Sequence, residues 1–140
     1  MLEVQVGEHF EEQMLLTPVE IAAFARLCGD FNPLHYDEAY ARQTRFGGII
    51  ASGPHVTARM MGLTATYFSK KGAMLGLEFD FHFHKPVKAG ETITIVWEVI
   101  QAEPKASLQG VIVSLEGRVR DDAGRVLMKA SGKILLTDRL

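Results

Sequence analysis

Two ionisable side chains lie close together in the first third of the sequence. Asp30 and His35 are separated by four residues, which include the dipeptide Asn32-Pro33. In a continuous α-helix, an offset of five residues would point the two side chains about 140° apart. The Asn-Pro turn instead allows the carboxylate and the imidazole to converge on one point. Such a pair can share a water molecule, and the imidazole titrates near neutral pH, as general acid–base chemistry requires.

The same residues are also typical of a turn with no catalytic role. Asp30 can cap the turn through its carboxylate, and His35 can be an ordinary surface residue. Interacting polar pairs are often structural. The spacing alone therefore leaves both interpretations open.

A second candidate element is the segment Ile50-Ala51-Ser52-Gly53-Pro54-His55, which precedes an apolar helical pattern. The first backbone N–H groups of a helix have no partner inside the helix. Pro54 has no N–H, so we expect Gly53, His55 and Val56 to supply free donors. Together with the positive end of the helix dipole, these donors can stabilise a developing oxyanion. An ordinary capped helix would give the same pattern.

Helices are predicted for the first half of the chain. One helix is expected to begin at Pro18 with Thr17 as its N-cap, with Glu20 completing a capping box and Gly29 ending it. A short helix is expected over Glu38 to Gln43, with Asp37 as its cap. A longer helix is expected to begin at Pro54, with Ser52 or Gly53 as its cap. Its apolar stripe and the small residues opposite predict that protein surrounds it.

Strands are predicted for the second half. Apolar residues alternate from Leu75 to His84, which predicts a long half-buried strand. Three further strands are expected over Thr92 to Gln101, Leu108 to Arg120 and Val126 to Leu136. The connections are short, so the strands should pair antiparallel. The pattern predicts an α+β fold in which an antiparallel sheet wraps a long central helix, as in the hot-dog fold.

Composition narrows the classes of protein that fit this chain. Its 140 residues suit one domain over 1–140, and 47% hydrophobic and 23% charged residues are ordinary globular values. A net charge of −2 gives no basic face for nucleic acid. No apolar run approaches the ~20 residues of a membrane helix, and the acidic N-terminal segment lacks a signal-peptide pattern. We therefore expect a soluble cytoplasmic protein.

Metal and covalent chemistry have little support in the sequence. The single cysteine, Cys28, cannot form an intramolecular disulfide. His82 and His84 share a strand face, but no third ligand accompanies them, so we interpret them as solvent-facing. Ser52 could be a nucleophile only beside a base, and no G-x-S-x-G elbow surrounds it. We predict no metal and no cofactor.

Two segments together resemble one known family. The run Gly-Asp-Phe-Asn-Pro-Leu-His at 29–35, followed by Phe-Gly-Gly-Ile-Ile-Ala-Ser-Gly at 46–53, resembles the MaoC-like (R)-specific enoyl-CoA hydratases. The later segment 83–92, Phe-His-Lys-Pro-Val-Lys-Ala-Gly-Glu-Thr, resembles their strand-turn segment K-P-V-x-x-G-D-T. The resemblance covers nearly the whole chain, most closely residues 15 to 100.

The resemblance implies a hot-dog fold, a homodimer and reversible addition of water to a trans-2-enoyl thioester of coenzyme A or acyl carrier protein. It implies that Asp30 and His35 activate the water and that the Gly53 N–H polarises the thioester carbonyl. Asn32, Ser52 and His55 are the predicted substrate-binding residues.

Two other functions stay open on the sequence. One is an acyl-CoA thioesterase on the same fold, although such enzymes commonly carry a carboxylate on the central helix and residues 54–69 contain none. The other is a non-catalytic subunit that binds acyl thioesters, but such a subunit would not need Asp30 and His35. The sequence does not rank Lys70 and Lys71 against Arg45, Lys85 and Lys88 as partners of coenzyme A phosphates.

Overall fold

The computed structural model describes residues 2–140 as a sheet of five strands with three α-helices and two 3₁₀ turns. In chain order the elements are β1 (His9–Leu15), α1 (Pro18–Leu27), a 3₁₀ turn (Pro33–His35), α2 (Glu38–Arg42), α3 (Gly53–Phe68), β2 (Ala73–Phe83), β3 (Thr92–Lys105), a 3₁₀ turn (Ala106–Leu108), β4 (Gly110–Asp121) and β5 (Val126–Thr137).

The strands form one antiparallel sheet in the order β1-β3-β4-β5-β2. This arrangement confirms the predicted α+β class, but β1 was not predicted. Its inward face carries Phe10 and Met14, which are buried, with Glu12 between them. The Glu12 carboxylate pairs with Arg59 of α3 at 2.6 Å. An acid on the inward face interrupts the apolar alternation by which a strand is recognised.

The predicted helix caps at Thr17 and Asp37 are confirmed, but the Glu20 carboxylate accepts from the Thr17 hydroxyl at 3.2 Å and not from the Thr17 N–H, as a capping box requires. The Thr17 hydroxyl oxygen accepts a hydrogen bond from the Glu20 N–H at 3.2 Å, and Gly29 follows α1 with φ +72°. That left-handed conformation favours glycine after a helix. The Asp37 carboxylate caps α2 by accepting from the Tyr40 N–H at 3.0 Å.

Helix α3 packs against one face of the sheet through fully buried side chains, including Met60 and Phe68. The Trp97 indole of β3 donates to the Met60 carbonyl at 2.9 Å and ties the middle of the helix to the sheet. Gly117 of β4 makes room for this indole, since a Cβ there would lie 2.6 Å from it. The expectation that protein surrounds α3 is wrong for the single chain, in which Ala58 and its neighbours on the outer face are exposed.

Strand β2 is an edge strand that pairs only with β5, and it is not the regular half-buried strand that alternation predicted. Its register shifts between Gly76 and Glu78. A β-bulge of this kind exchanges the two faces of a strand. Phe79 therefore packs towards the core, whereas Leu75 and Leu77 are exposed by 47% and 46%.

None of the helices formed by residues 2–140 combines the length and the apolar character that a membrane crossing requires.

Candidate active site

Asp30 and His35 are brought together by a turn that their own neighbours build. One carboxylate oxygen of Asp30 accepts from the Asn32 N–H at 3.0 Å, and the Asn32 side chain accepts from the Leu34 N–H at 3.1 Å. These two bonds cap the 3₁₀ turn Pro33–His35. The turn-capping role considered for Asp30 is therefore real. It uses only Oδ1 and leaves Oδ2 for another partner.

Only 6% of His35 is exposed, so His35 is not the ordinary surface residue that the non-catalytic interpretation of the turn expected. Its Nε2 lies 3.3 Å from the free Oδ2 of Asp30. Its Nδ1 lies 2.9 Å from the carbonyl oxygen of Ile50. A carbonyl can only accept, so we assign the ring hydrogen of the neutral imidazole to Nδ1.

This assignment gives the pair a specific chemical character. In the neutral imidazole, Nε2 presents a lone pair towards a carboxylate oxygen that also only accepts. Two facing acceptors are complementary to a molecule that donates two hydrogens, such as water. Once Nε2 has taken up a proton, the same carboxylate stabilises the imidazolium. The arrangement can therefore hold a water molecule and store its proton.

A cavity of about 500 Å³ opens beside this pair. Its wall includes four of the predicted site residues, namely Asn32, His35, Ser52 and Gly53. Asp30 is not part of the wall and reaches the cavity through His35. The geometry thus joins the motif at 30–35 to the start of α3, as the sequence analysis expected.

The start of α3 offers fewer free donors than the sequence predicted. The buried Ser52 caps the helix, because its hydroxyl and carbonyl oxygens accept from the His55 N–H at 3.3 and 3.1 Å, and its carbonyl also accepts from the Val56 N–H at 3.4 Å. His55 and Val56 were therefore wrongly expected to have free N–H groups. The Gly53 N–H has no acceptor among residues 2–140, and it lies at the positive end of the helix dipole.

Glycine at position 53 also allows an aromatic ring to approach closely. A Cβ there would lie 3.0 Å from two atoms of the Phe83 ring. Phe83, at the end of β2, forms part of the cavity wall together with His84, Lys85 and Val87. Sequence reasoning missed these residues as site residues, although the resemblance had drawn attention to segment 83–92.

His84 is exposed, as expected, but it lies just after the end of β2 and also lines the cavity. Its N–H donates to the Leu127 carbonyl at 2.9 Å. His82 is exposed, as expected, and its Nε2 lies 3.2 Å from Asp80. Residues 2–140 present no group of three or more His, Cys, Asp or Glu side chains placed to hold a metal ion.

His55, a predicted substrate-binding residue, does not line the cavity. Its ring is buried and stacks on Phe24 of α1, with ring centroids 4.4 Å apart and planes inclined by 1°. Its Nδ1 is buried without a hydrogen-bond partner among residues 2–140. Burial, assisted by the nearby Arg59 charge, lowers the pKa of His55 and favours the neutral ring.

Residues 3–117 match the MaoC-like domain family. The chain belongs to this family. The match confirms the resemblance seen in the motifs at 29–35, 46–53 and 83–92.

Two relatives of this MaoC-like domain are named as a hydratase and a dehydratase. It is 35% identical over 97 residues to the (R)-specific enoyl-CoA hydratase of Aeromonas caviae. The aligned segment covers 69% of this chain and 71% of that enzyme. It is 28% identical over 104 residues to the 3-hydroxybutyryl-CoA dehydratase of Methylorubrum extorquens, covering 74% of this chain and 64% of that enzyme. These relatives support a hydro-lyase enzyme.

The fold agrees as well. The unliganded R-hydratase of Pseudomonas aeruginosa superimposes with a TM-score of 0.86 at 29% identity, covering 97% of this chain and 84% of that one. The sheet and α3 of this MaoC-like domain thus form the predicted hot-dog fold.

Proposed function

We propose that this MaoC-like domain catalyses the reversible (R)-specific hydration of trans-2-enoyl thioesters, with Asp30 and His35 activating the water. The observation that carries the proposal is the pair of facing acceptors, His35 Nε2 and Asp30 Oδ2, 3.3 Å apart beside a 500 Å³ cavity that His35 lines. The Ile50 carbonyl fixes the tautomer that this chemistry needs. The named hydratase and dehydratase relatives support the same reaction.

The proposed reaction uses each part of the site once. The thioester carbonyl oxygen accepts a hydrogen bond from the Gly53 N–H, which draws electron density from the C=C bond. The water oxygen bonds to the β-carbon while the water gives one proton to His35 Nε2. Negative charge develops on the carbonyl oxygen, where the Gly53 N–H and the helix dipole stabilise it.

The second half of the reaction returns the proton. The imidazolium, stabilised by Asp30, delivers the proton from Nε2 to the α-carbon, and the carbonyl double bond re-forms. One water thus supplies both the hydroxyl and the new C–H on one face of the substrate. Dehydration follows the same path backwards.

The relatives favour this reaction over the two alternatives. Hydrolysis by a thioesterase would direct the water at the carbonyl carbon, and the named relatives act by hydration or dehydration instead. A non-catalytic binding subunit would not require the tautomer that Ile50 imposes on His35.

A homodimer is part of the proposal. The edge strand β2 leaves Leu75, Leu77 and Phe83 exposed. Exposed apolar edges favour aggregation unless they are covered, and a two-fold pairing covers both copies at once. Light scattering should therefore give twice the mass of one chain, and a monomer at micromolar concentration would contradict this part.

The reaction can be followed by the loss of the enoyl-thioester absorbance. We expect Asp30→Asn and His35→Ala each to lower kcat by about 100-fold or more, because each removes half of the water site. The double variant should be little worse than either single variant, since residues that act as a unit are non-additive.

The chain supplies a matched control. Asp80 and His82 form a second carboxylate–imidazole pair, 3.2 Å apart but exposed on β2. Asp80→Asn and His82→Ala should leave kcat within about twofold. Near-normal hydration by folded Asp30→Asn and His35→Ala variants would show that Asp30 and His35 have only a structural role in the turn. If these variants instead lose the release of free thiol from a saturated acyl thioester, the thioesterase function would replace hydration.

A further inference from the structure

The end of helix α1 sets the backbone position of Asp30. The Asp30 N–H donates to the Ala25 carbonyl at 2.8 Å, and the Gly29 N–H donates to the Arg26 carbonyl at 3.0 Å. Two bonds of this kind form the Schellman motif that ends many helices. Because one of them ends on Asp30 itself, the carboxylate of the water-activating pair is placed relative to the last turn of α1.

The preceding residue of α1, Phe24, contacts the other half of the site. Its half-buried ring stacks on the ring of His55, in the first turn of α3. Ile21, on the same side of α1, is fully buried in the core and anchors the helix. Two consecutive residues, Phe24 and Ala25, therefore hold the start of α3 and the backbone of Asp30.

Stacking is the contact that orients the His55 ring. Only 5% of the residue is exposed, and its Nδ1 has no hydrogen-bond partner among residues 2–140. Charged or titratable side chains act on the ring from three elements, with Glu20 on α1, Arg59 on α3 and His35 in the 3₁₀ turn. A neutral ring can lie flat against Phe24 without burying a charge.

The backbone of His55 aims the proposed oxyanion donor. The Gly53 N–H belongs to the peptide group that joins Ser52 to Gly53, and the carbonyl of that same group accepts from the His55 N–H at 3.1 Å. A trans peptide group is planar, and its C=O and N–H point in opposite directions. A displacement of His55 therefore tilts this plane and changes the direction of the Gly53 N–H at the cavity wall.

Resting on the proposed hydratase function, we propose that the stack of Phe24 on His55 sets the spacing between the oxyanion donor and the water-activating pair. Hydration needs the carbonyl oxygen at the donor while the β-carbon, two bonds from the carbonyl carbon, meets the water. The substrate fixes that span, so the protein must present both groups at a matching distance. A misplacement of about 1 Å can cost about 100-fold in rate. His55 is thus a positioning residue, which lies outside the cavity wall.

The test separates kcat from KM in the hydration of trans-2-butenoyl coenzyme A. His55→Ala removes the ring, and Phe24→Ala removes its stacking partner. Each should lower kcat by about tenfold or more while KM stays within about threefold, because the donor acts mainly on charge that develops in the transition state. His55→Phe keeps a ring that can stack on Phe24, so it should restore kcat to within about threefold of the wild type.

The other end of α3 offers a matched control. Tyr67 stacks on Phe10 of β1, with ring centroids 3.9 Å apart and planes inclined by 6°. A rise of 1.5 Å per residue places Tyr67 about 20 Å along the axis from Gly53. Tyr67→Ala removes a stacked ring from the same helix, so it should lower the free energy of unfolding but leave kcat within about twofold.

A double-variant comparison distinguishes positioning from a general loss of structure. In the Gly53→Pro background the donor is absent, so His55→Ala should lower kcat by a further twofold or less. Each kcat is referred to the folded fraction measured by chemical denaturation. Wild-type kcat in folded His55→Ala and Phe24→Ala variants, or an undiminished tenfold loss in the Gly53→Pro background, would overturn the proposal. Failure of the wild type itself to hydrate trans-2-enoyl thioesters would instead refute the hydratase function on which this role rests.

Discussion

The proposed role of the Gly53 N–H can be tested by removing that one hydrogen. Gly53→Pro eliminates the donor at a cost in stability that any Cβ at position 53 shares, because Pro54 follows and its ring crowds the Cβ of a helical residue before it. Position 53 is the first residue of α3, where proline is favoured, and Ser52 before it has φ −67° and ψ 151°. We therefore expect the variant to fold with its helix start in place.

Gly53→Ala is the matched control, because it adds a carbon at the same point and keeps the N–H. In both variants the new Cβ would lie 3.0 Å from the Phe83 ring. The Phe83 ring must shift by a few tenths of an ångström and a Cβ at position 53 also crowds the Pro54 ring, so both variants should lose a similar free energy of unfolding, about 1 kcal/mol. The difference between the two variants therefore isolates the hydrogen bond.

The expected magnitude follows from the number of donors. Gly53 has the one N–H at the start of α3 that both borders the cavity and lacks an acceptor among residues 2–140. Loss of a single oxyanion donor costs about 2.7–4 kcal/mol, or about 100- to 1,000-fold in kcat. We expect this loss for Gly53→Pro relative to Gly53→Ala.

The assay is the decay of enoyl-thioester absorbance at saturating substrate, with chemical denaturation of both variants as the measure of folding. If folded Gly53→Pro turns over within about threefold of Gly53→Ala, the thioester carbonyl binds elsewhere and this part of the mechanism is refuted.

Two further predictions concern stability. Because burial keeps the pKa of His55 below its ordinary value of 6.5, the unfolded chain binds the extra proton first as pH falls below about 6.5, so stability should decline with falling pH. His55→Phe should reduce this decline between pH 7.5 and 5.5 in urea unfolding, whereas His82→Phe, at an exposed site, should leave it unchanged; equal slopes for His55→Phe and wild type would contradict the prediction. Gly117→Ala should destabilise the fold by about 1–3 kcal/mol, because its Cβ would overlap the Trp97 ring, whereas Gly62→Ala, inside α3 and facing open space, should stabilise it by about 0.5–1 kcal/mol; no destabilisation by Gly117→Ala would show that the indole can move.

Local sequence signals predicted the helices well because the determinants lie within a few residues. Thr17 caps α1 and Asp37 caps α2, through bonds that span three residues. The same holds for the turn between Asp30 and Asn32. Where the hydrogen bonds that define a turn or a helix end join residues close in sequence, residue types and spacing suffice to predict it.

Determinants that are distant in sequence escaped prediction. The burial and tautomer of His35 depend on the Ile50 carbonyl, 15 residues away. Strand β1 was hidden because Glu12 is neutralised by Arg59, 47 residues further along. The bulge near Leu77 exchanged the faces of β2, although the isolated Gly76 beside it is a local signal of such a bulge. Each of these features arises from tertiary pairing.

The bond from the Trp97 indole to the Met60 carbonyl also gives the protein a built-in optical reporter. The sequence contains one tryptophan, so all indole emission comes from this position. The indole is fully buried and hydrogen-bonded to the middle of α3, whose first residue is Gly53. Any separation of the helix from the sheet would admit water to the ring and shift its emission to longer wavelength. The fluorescence of unlabelled protein therefore follows the docking of the helix that presents the proposed oxyanion donor.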